Sequence, residues 1–224
     1  MKRQRRDYRR EVRRSLPAAE QGSGKLYLIV VEGEKTEHDY FTGLRAKLEL
    51  KSADVVVLQV GKTDPNGMVA EAIRLRDKRE DEAKKSLVRA RYDEVWVVFD
   101  TEAKDHPRAK QLPAAFNRAR AQGVLIAPSN PSFEFWLLLH HEATTKYLLD
   151  AAAAIKALKK HLPKYQKRAL PLEDLLERLK TACKNAAACR KHHEDCQGDG
   201  NPSTDVHLLV RSLNDSTAPV FRLL

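Results

Sequence analysis

Leu26-Tyr-Leu-Ile-Val-Val31-Glu32-Gly33-Glu34-Lys35-Thr36-Glu37 is the stretch that decides the fold. An unbroken apolar run of strand length is what a strand buried on both faces requires, and such strands belong to parallel sheets. The run ends on a charged turn, and Thr36 stands where a helix cap would. Tyr40, Leu44 and Leu48 then follow at four-residue spacing. A buried strand that passes through a short polar turn into an amphipathic helix is the opening of a βαβ unit.

Working outward, three more segments repeat the strand. Asp54-Val-Val-Val-Leu-Gln-Val60 stops at Gly61, Glu94-Val-Trp-Val-Val-Phe-Asp100 stops on an acid, and Val124-Leu-Ile-Ala127 is closed by Pro128. Helices are expected over 68–90, 112–121 and 133–141. Strands alternating with helices imply right-handed crossovers and an α/β fold: a mostly parallel four-stranded sheet with helices on both faces. From residue 143 the pattern changes to helices over 151–162, 172–193 and 205–213, with no further strand. The expected organisation is a basic arm and linker (1–24), an α/β core (25–142) and a helical C-terminal region (143–224) packed on the core as an appendage.

A chain of 224 residues, 42% hydrophobic and 32% charged, can bury a real core, which excludes disorder throughout. The formal charge of +10 is unevenly spread, because residues 1–14 alone carry +6. Arg3, Arg5, Arg6, Arg9, Arg10, Arg13 and Arg14, together with Lys2, make an arm suited to a polyanion. Nucleic acid is the expected partner, because the arm lacks the apolar face that a membrane helix needs. No apolar h-region follows the arm, and no stretch approaches the ~18 apolar residues of a membrane span. With an odd number of cysteines, the expectation is a cytoplasmic protein with reduced thiols.

In an open parallel sheet, ligands sit beyond the carboxyl ends of the strands. Glu32, Glu34, Lys35 and Glu37 follow the first strand. Asp100 and Glu102, with Asp105 and His106 nearby, follow the third, and Asn130 and Glu134 follow the fourth. One acid at a strand end usually caps a helix or faces water. Acids from three strand ends instead suggest a site for Mg²⁺ or Mn²⁺, which prefer hard oxygen ligands. A phosphate-binding loop is not expected: Gly61-Lys62-Thr63 has Val56 where the loop pattern needs glycine.

Four ordered motifs resemble the RloB-like family. They are Leu28-Ile-Val-Val-Glu32-Gly33-Glu34-Lys35-Thr36-Glu37 with Tyr40-Phe41; Val97-Val-Phe-Asp100-Thr-Glu102; Ser129-Asn-Pro-Ser-Phe-Glu134-Phe-Trp136-Leu-Leu-Leu-His140; and Asn201-Pro-Ser-Thr204-Asp-Val206-His207-Leu-Leu-Val210. The resemblance implies a Toprim-like fold, in which a glutamate after the first strand and an Asp-x-Asp after the third handle magnesium and phosphodiesters. Glu32 takes the place of the glutamate and Asp100 that of the first aspartate, while Glu102 departs from the second. It further implies a role in bacterial phage defence or abortive infection, often beside an ATPase partner.

The expected chemistry is metal-dependent phosphodiester hydrolysis. Glu32, Asp100 and Glu102 would hold Mg²⁺ or Mn²⁺, Glu37 or Glu134 would serve as further ligand or base, Lys35 would stabilise the transition state, and Asn130 would orient water or substrate. Two alternatives keep parts of this picture: nucleotidyl transfer or nucleotide cleavage, and a nucleic-acid-sensing subunit of a defence ATPase without catalysis. Two weaker signals are His140 in the third motif and a possible zinc set, Cys189, His192, His193 and Cys196. On a straight helix those two cysteines are about 10 Å apart, too far for one ion.

Overall fold

The computed structural model describes residues 25–224 except 34, 52–54, 61–63, 86–90, 103–106, 168 and 197–199. The basic arm, with Arg3, Arg5, Arg6, Arg9, Arg10, Arg13 and Arg14, lies outside the described residues, as do Glu34, Asp105 and His106. Strands β1 (Tyr27–Val31), β2 (Val55–Gln59), β3 (Glu94–Asp100) and β4 (Leu125–Asn130) run parallel in the order β2-β1-β3-β4. Ile29 is flanked by Val57 on one side and Trp96 on the other.

The sheet has a fifth strand, β5 (Ser203–Thr204), antiparallel to β4, where four were expected. Two residues carry no periodicity, so no sequence pattern marks this strand. It forms because Asn130 pairs with Ser203 and Ser129 with Thr204, whose hydroxyls also bond at 2.8 Å. Pro128 does not close β4 but pairs with Phe99 inside it. Its carbonyl accepts from Asp205 N, so its missing N–H points to that same edge and not into the β3 ladder.

Alternation along β1 splits the core into two layers. Tyr27, Ile29 and Val31 face one side, while Leu28 and Val30 face the other. The second side is covered by α2 (Pro65–Lys85), through Met68, Val69 and Ala72, and by α3 (Leu112–Ala121), through Ala115 and Ala119. The first side is covered by α1 (Thr36–Lys47), with Tyr40, Phe41 and Leu44, and by the wholly buried α4 (Phe133–Leu138). Each large apolar side chain among them, such as Met68, Val69, Phe41 or Leu44, contributes about 1.5–3 kcal/mol by leaving water.

The C-terminal residues complete that first layer through α5 (Ala151–Leu158), α6 (Leu172–Glu177), α7 (Leu179–Asp195) and α8 (Val206–Ser216). Leu158, Leu175, Leu179, Leu209 and Leu213 belong to the same buried cluster as β1 and α1. The single helix expected over 172–193 is two helices that meet at Arg178. No Gly or Pro marks the break; packing divides it. Leu172 of α6 presses on Gly43 of α1, where a Cβ would collide with it, whereas α7 packs on α4 and α8. Among the described residues no helix is long and apolar enough to cross a membrane.

Candidate active site

The strand order reverses between β1 and β3, because β2 lies to one side of β1 and β3 and β4 lie to the other. A crevice opens at such a switch point. Here it is a cavity of about 310 Å³ that collects Glu32, Gly33, Lys35, Thr36 and Glu37 from the β1–α1 turn, Asp100 and Glu102 from the end of β3, and Phe133 and Glu134 from the start of α4. Of the carboxylates expected at the strand ends, all those within the described residues therefore meet.

Each acid has its own environment. Glu32 receives both terminal nitrogens of Arg108, at 2.6 and 2.8 Å, and accepts from Asp100 N at 3.3 Å. Arg108 also stands 3.7 Å from Glu102. Asp100 accepts from Phe133 N at 2.8 Å, which ties β3 to the first residue of α4. Glu102 adopts a left-handed backbone, φ 62°, while its N–H donates to Pro131 O at 3.0 Å. That conformation is uncommon outside glycine and costs energy, so the backbone bond helps hold the side chain at the cavity edge.

Glu134 is buried and saturated. Ser132 Oγ donates to it at 2.7 Å and Tyr165 Oη at 3.2 Å, and Lys167 Nζ lies 3.3 Å away. Glu37 is also buried, under Gly33: a Cβ at residue 33 would collide with its carboxylate. Thr36 is not the cap that its position suggested. It is the first helical residue, and its hydroxyl donates to Lys167 O at 2.9 Å.

Crowding of acids shifts their protonation. Burial lifts Glu37 to about 7, with Glu134 and Glu32 adding repulsion and Lys167 opposing it. Burial likewise raises Asp100 well above the usual carboxylate range, reinforced by Glu37, Glu134, Glu32 and Glu102. Burial works against the charge of Lys167, yet Glu134, Asp100 and Glu37 outweigh it and leave its pKa raised. Fully ionised, these five carboxylates would outnumber the nearby cations Arg108, Lys167 and Lys35, and raised pKa values let protons take up that imbalance.

Lys35 lines the cavity as an exposed side chain. Asn130 does not line it; its amide donates to Gly200 O at 3.0 Å and joins β4 to the C-terminal segment. His140 lies in the core, accepting at Nε2 from Tyr40 Oη and donating from Nδ1 to Trp136 O. Burial lowers its pKa to about 3, so it is a neutral, structural imidazole. In the candidate zinc set, Cys189 Sγ and His193 Nε2 are both bonded to Pro202 O, and α7 continues past His193 to Asp195 instead of breaking there. Among the described residues, no group of three or more Asp, Glu, His or Cys is placed to hold a metal ion.

Arg108, Tyr165 and Lys167 are the site residues that sequence reasoning missed. Arg108 was within reach of the strand-end rule, since its 3₁₀ turn (Pro107–Gln111) follows β3. Tyr165 and Lys167 come from the C-terminal half, and only folding brings them to β1.

No curated protein and no solved structure shows significant similarity to the chain. The family model described as RloB-like protein matches residues 27–213, a span that includes the ends of β1, β3 and β4 and the Asn201–Val210 motif. By that match over most of its length, the chain belongs to the RloB-like protein family.

Proposed function

We propose that this protein is a Toprim-like hydrolase of nucleic-acid phosphodiesters, dependent on Mg²⁺ or Mn²⁺, and that it acts in bacterial phage defence in the cytoplasm with an ATPase partner. One observation carries the reading: acids from three strand ends share one cavity and are so crowded that Glu37 and Asp100 have raised pKa values. Excess carboxylate in a partly closed site is the environment that a divalent cation relieves. The donor types suit a hard cation, but Glu32 is committed to Arg108, so the site must rearrange before all its acids can serve.

Glu32, Asp100 and Glu102 would hold the ion, which would neutralise phosphate oxygens and acidify water. The chain's own groups have distinct tasks. Lys167 and Lys35 offer ammonium groups to the non-bridging oxygens of a phosphodiester. Glu37, with a pKa of about 7, is matched to taking the proton of the attacking water. As that water adds to phosphorus, the P–O bond to the leaving oxygen breaks, and the proton taken by Glu37 passes to that oxygen, through water where they do not touch. Glu134 holds Lys167 and Tyr165 in place.

The test is incubation of the purified protein with Mg²⁺ or Mn²⁺ and mixed DNA, tRNA and nucleotides. Cleavage of nucleic acid that vanishes in the Glu32→Gln/Asp100→Asn variant is the expected result. Full cleavage by that variant sinks the assignment, and turnover of nucleotides alone favours nucleotidyl chemistry. The clasp of Arg108 on Glu32 favours a second reading, a non-catalytic sensing subunit of the defence ATPase. Tight nucleic-acid binding without product identifies that one.

A further inference from the structure

Between Asp150 and Glu173 the chain has six bases, Lys156, Lys159, Lys160, Lys164, Lys167 and Arg168, and no acid. This short segment carries as much positive charge as the whole N-terminal arm, so the remainder of the body is net negative. Lys156, Lys159, Lys160, Lys164 and Lys167 are all exposed. Among the described residues, Lys156, Lys159, Lys160 and Lys164 form no ion pair, whereas Lys167 reaches Glu134 in the acidic cavity.

The segment is fastened at the rim of that cavity. Tyr165 is buried and its hydroxyl donates to Glu134 Oε1. Thr36, on the other wall, donates to Lys167 O, and a bridge pairs Gln166 with Ala169. Pinning from two sides holds Lys167 at the cavity, and the exposed Lys164 precedes it by three residues. None of the large apolar side chains exposed on the described surface falls between residues 156 and 168, so the segment offers a membrane nothing to insert.

We infer that the 156–167 segment is the docking surface for the sugar–phosphate backbone of a polynucleotide. It leads the strand into the cavity, and Lys167 makes the last contact before the reacting phosphate. This rests on the phosphodiesterase reading of the cavity and names the substrate class that the site takes: a polymer gripped along its backbone, not a free nucleotide. Lysine ammonium groups contact phosphate as point charges, without reading bases, so the grip is independent of sequence.

Two readouts on the full chain separate this inference from the reading beneath it. The first is binding of a fluorescent 20-mer duplex across a salt series, for the protein and its K159Q/K160Q/K164Q variant. Each lost phosphate contact removes about 0.9 from the salt slope, so the variant should bind about tenfold or more weaker at low salt, with a slope lower by about 2–3. Vesicles rich in anionic lipid should show no comparable loss. The second is Mn²⁺-dependent hydrolysis of bis(p-nitrophenyl) phosphate, which is too small to engage Lys159, Lys160 and Lys164 along a backbone and should be unchanged in the variant. Unchanged duplex affinity and slope overturn the docking surface, whatever the small substrate does. An altered slope with no hydrolysis by either protein keeps the docking surface and overturns the hydrolase. An equal loss on vesicles overturns the polynucleotide assignment.

Discussion

Arg108 lays both terminal guanidinium nitrogens on the two carboxylate oxygens of Glu32, a residue of the acidic cavity, at 2.6 and 2.8 Å. The two side chains are only 16% and 18% exposed, so the pair is screened far less than a surface bridge. Arg108 thus supplies locally the positive charge that crowded acids require. A divalent ion that recruited Glu32 would compete directly with it.

Replacing Arg108 by Gln should therefore have opposite effects with and without metal. Without metal, Glu32 loses its counter-charge and the variant should melt several degrees lower, a loss on the order of 2–3 kcal/mol. With Mn²⁺ present, that deficit should shrink, and calorimetric affinity for Mn²⁺ should rise. Equal deficits at zero and saturating Mn²⁺ would falsify the competition.

Glu37 makes the stability pH-dependent in a defined direction. Its pKa rises from 4.5 to about 7 on folding, so the folded chain binds the proton more tightly than the unfolded one. Its share of stability is greatest below pH 4.5 and is lost as pH climbs towards 7, about 3 kcal/mol in all. Glu37→Gln should raise the melting temperature at pH 8 and leave it nearly unchanged at pH 4.5. Thermal scans at the two values, without divalent ions, check this.

His140 works the other way. Burial takes it from 6.5 to about 3, so the unfolded chain gains a proton first as pH falls below 6.5. At pH 5 this contributes about 2 kcal/mol of destabilisation that a non-titrating side chain avoids. His140→Asn loses contacts with Tyr40 and Trp136, and should be clearly less stable than wild type at pH 7.5. The gap should narrow at pH 5. A gap that widens on acidification contradicts a neutral, buried imidazole.

Gly33 has no room for a methyl group, because the carboxylate of Glu37 occupies the space. Gly33→Ala must displace Glu37 and should cost about 1–3 kcal/mol. It should also abolish metal-dependent cleavage more completely than Glu37→Gln does. Pairing it with Glu37→Ala, which vacates the space, should recover most of the stability but none of the activity; failure to recover it places the clash elsewhere.

Periodicity carried most of the fold. Continuous apolar runs, Tyr27–Val31 and the Val95–Phe99 stretch of β3, identify strands buried on both faces, whatever surrounds them. The rule that ligands gather beyond strand ends then located Glu32, Asp100 and Glu134, because chain direction alone places those residues on one edge. Local signals failed where tertiary partners outvoted them: Pro128 stayed in its strand, Arg178 broke a helix without Gly or Pro, and Asn130 turned to Gly200.

The amino-acid order by itself thus determined the parallel α/β sheet, the family motifs and the edge where acids would collect, since each depends on spacing along the chain. Tertiary structure alone decided how those acids are neutralised. Arg108 reaches Glu32 across 76 residues, and Tyr165 reaches Glu134 across 31. Charge acts through space, so a cation's place in the sequence does not say which carboxylate it will face.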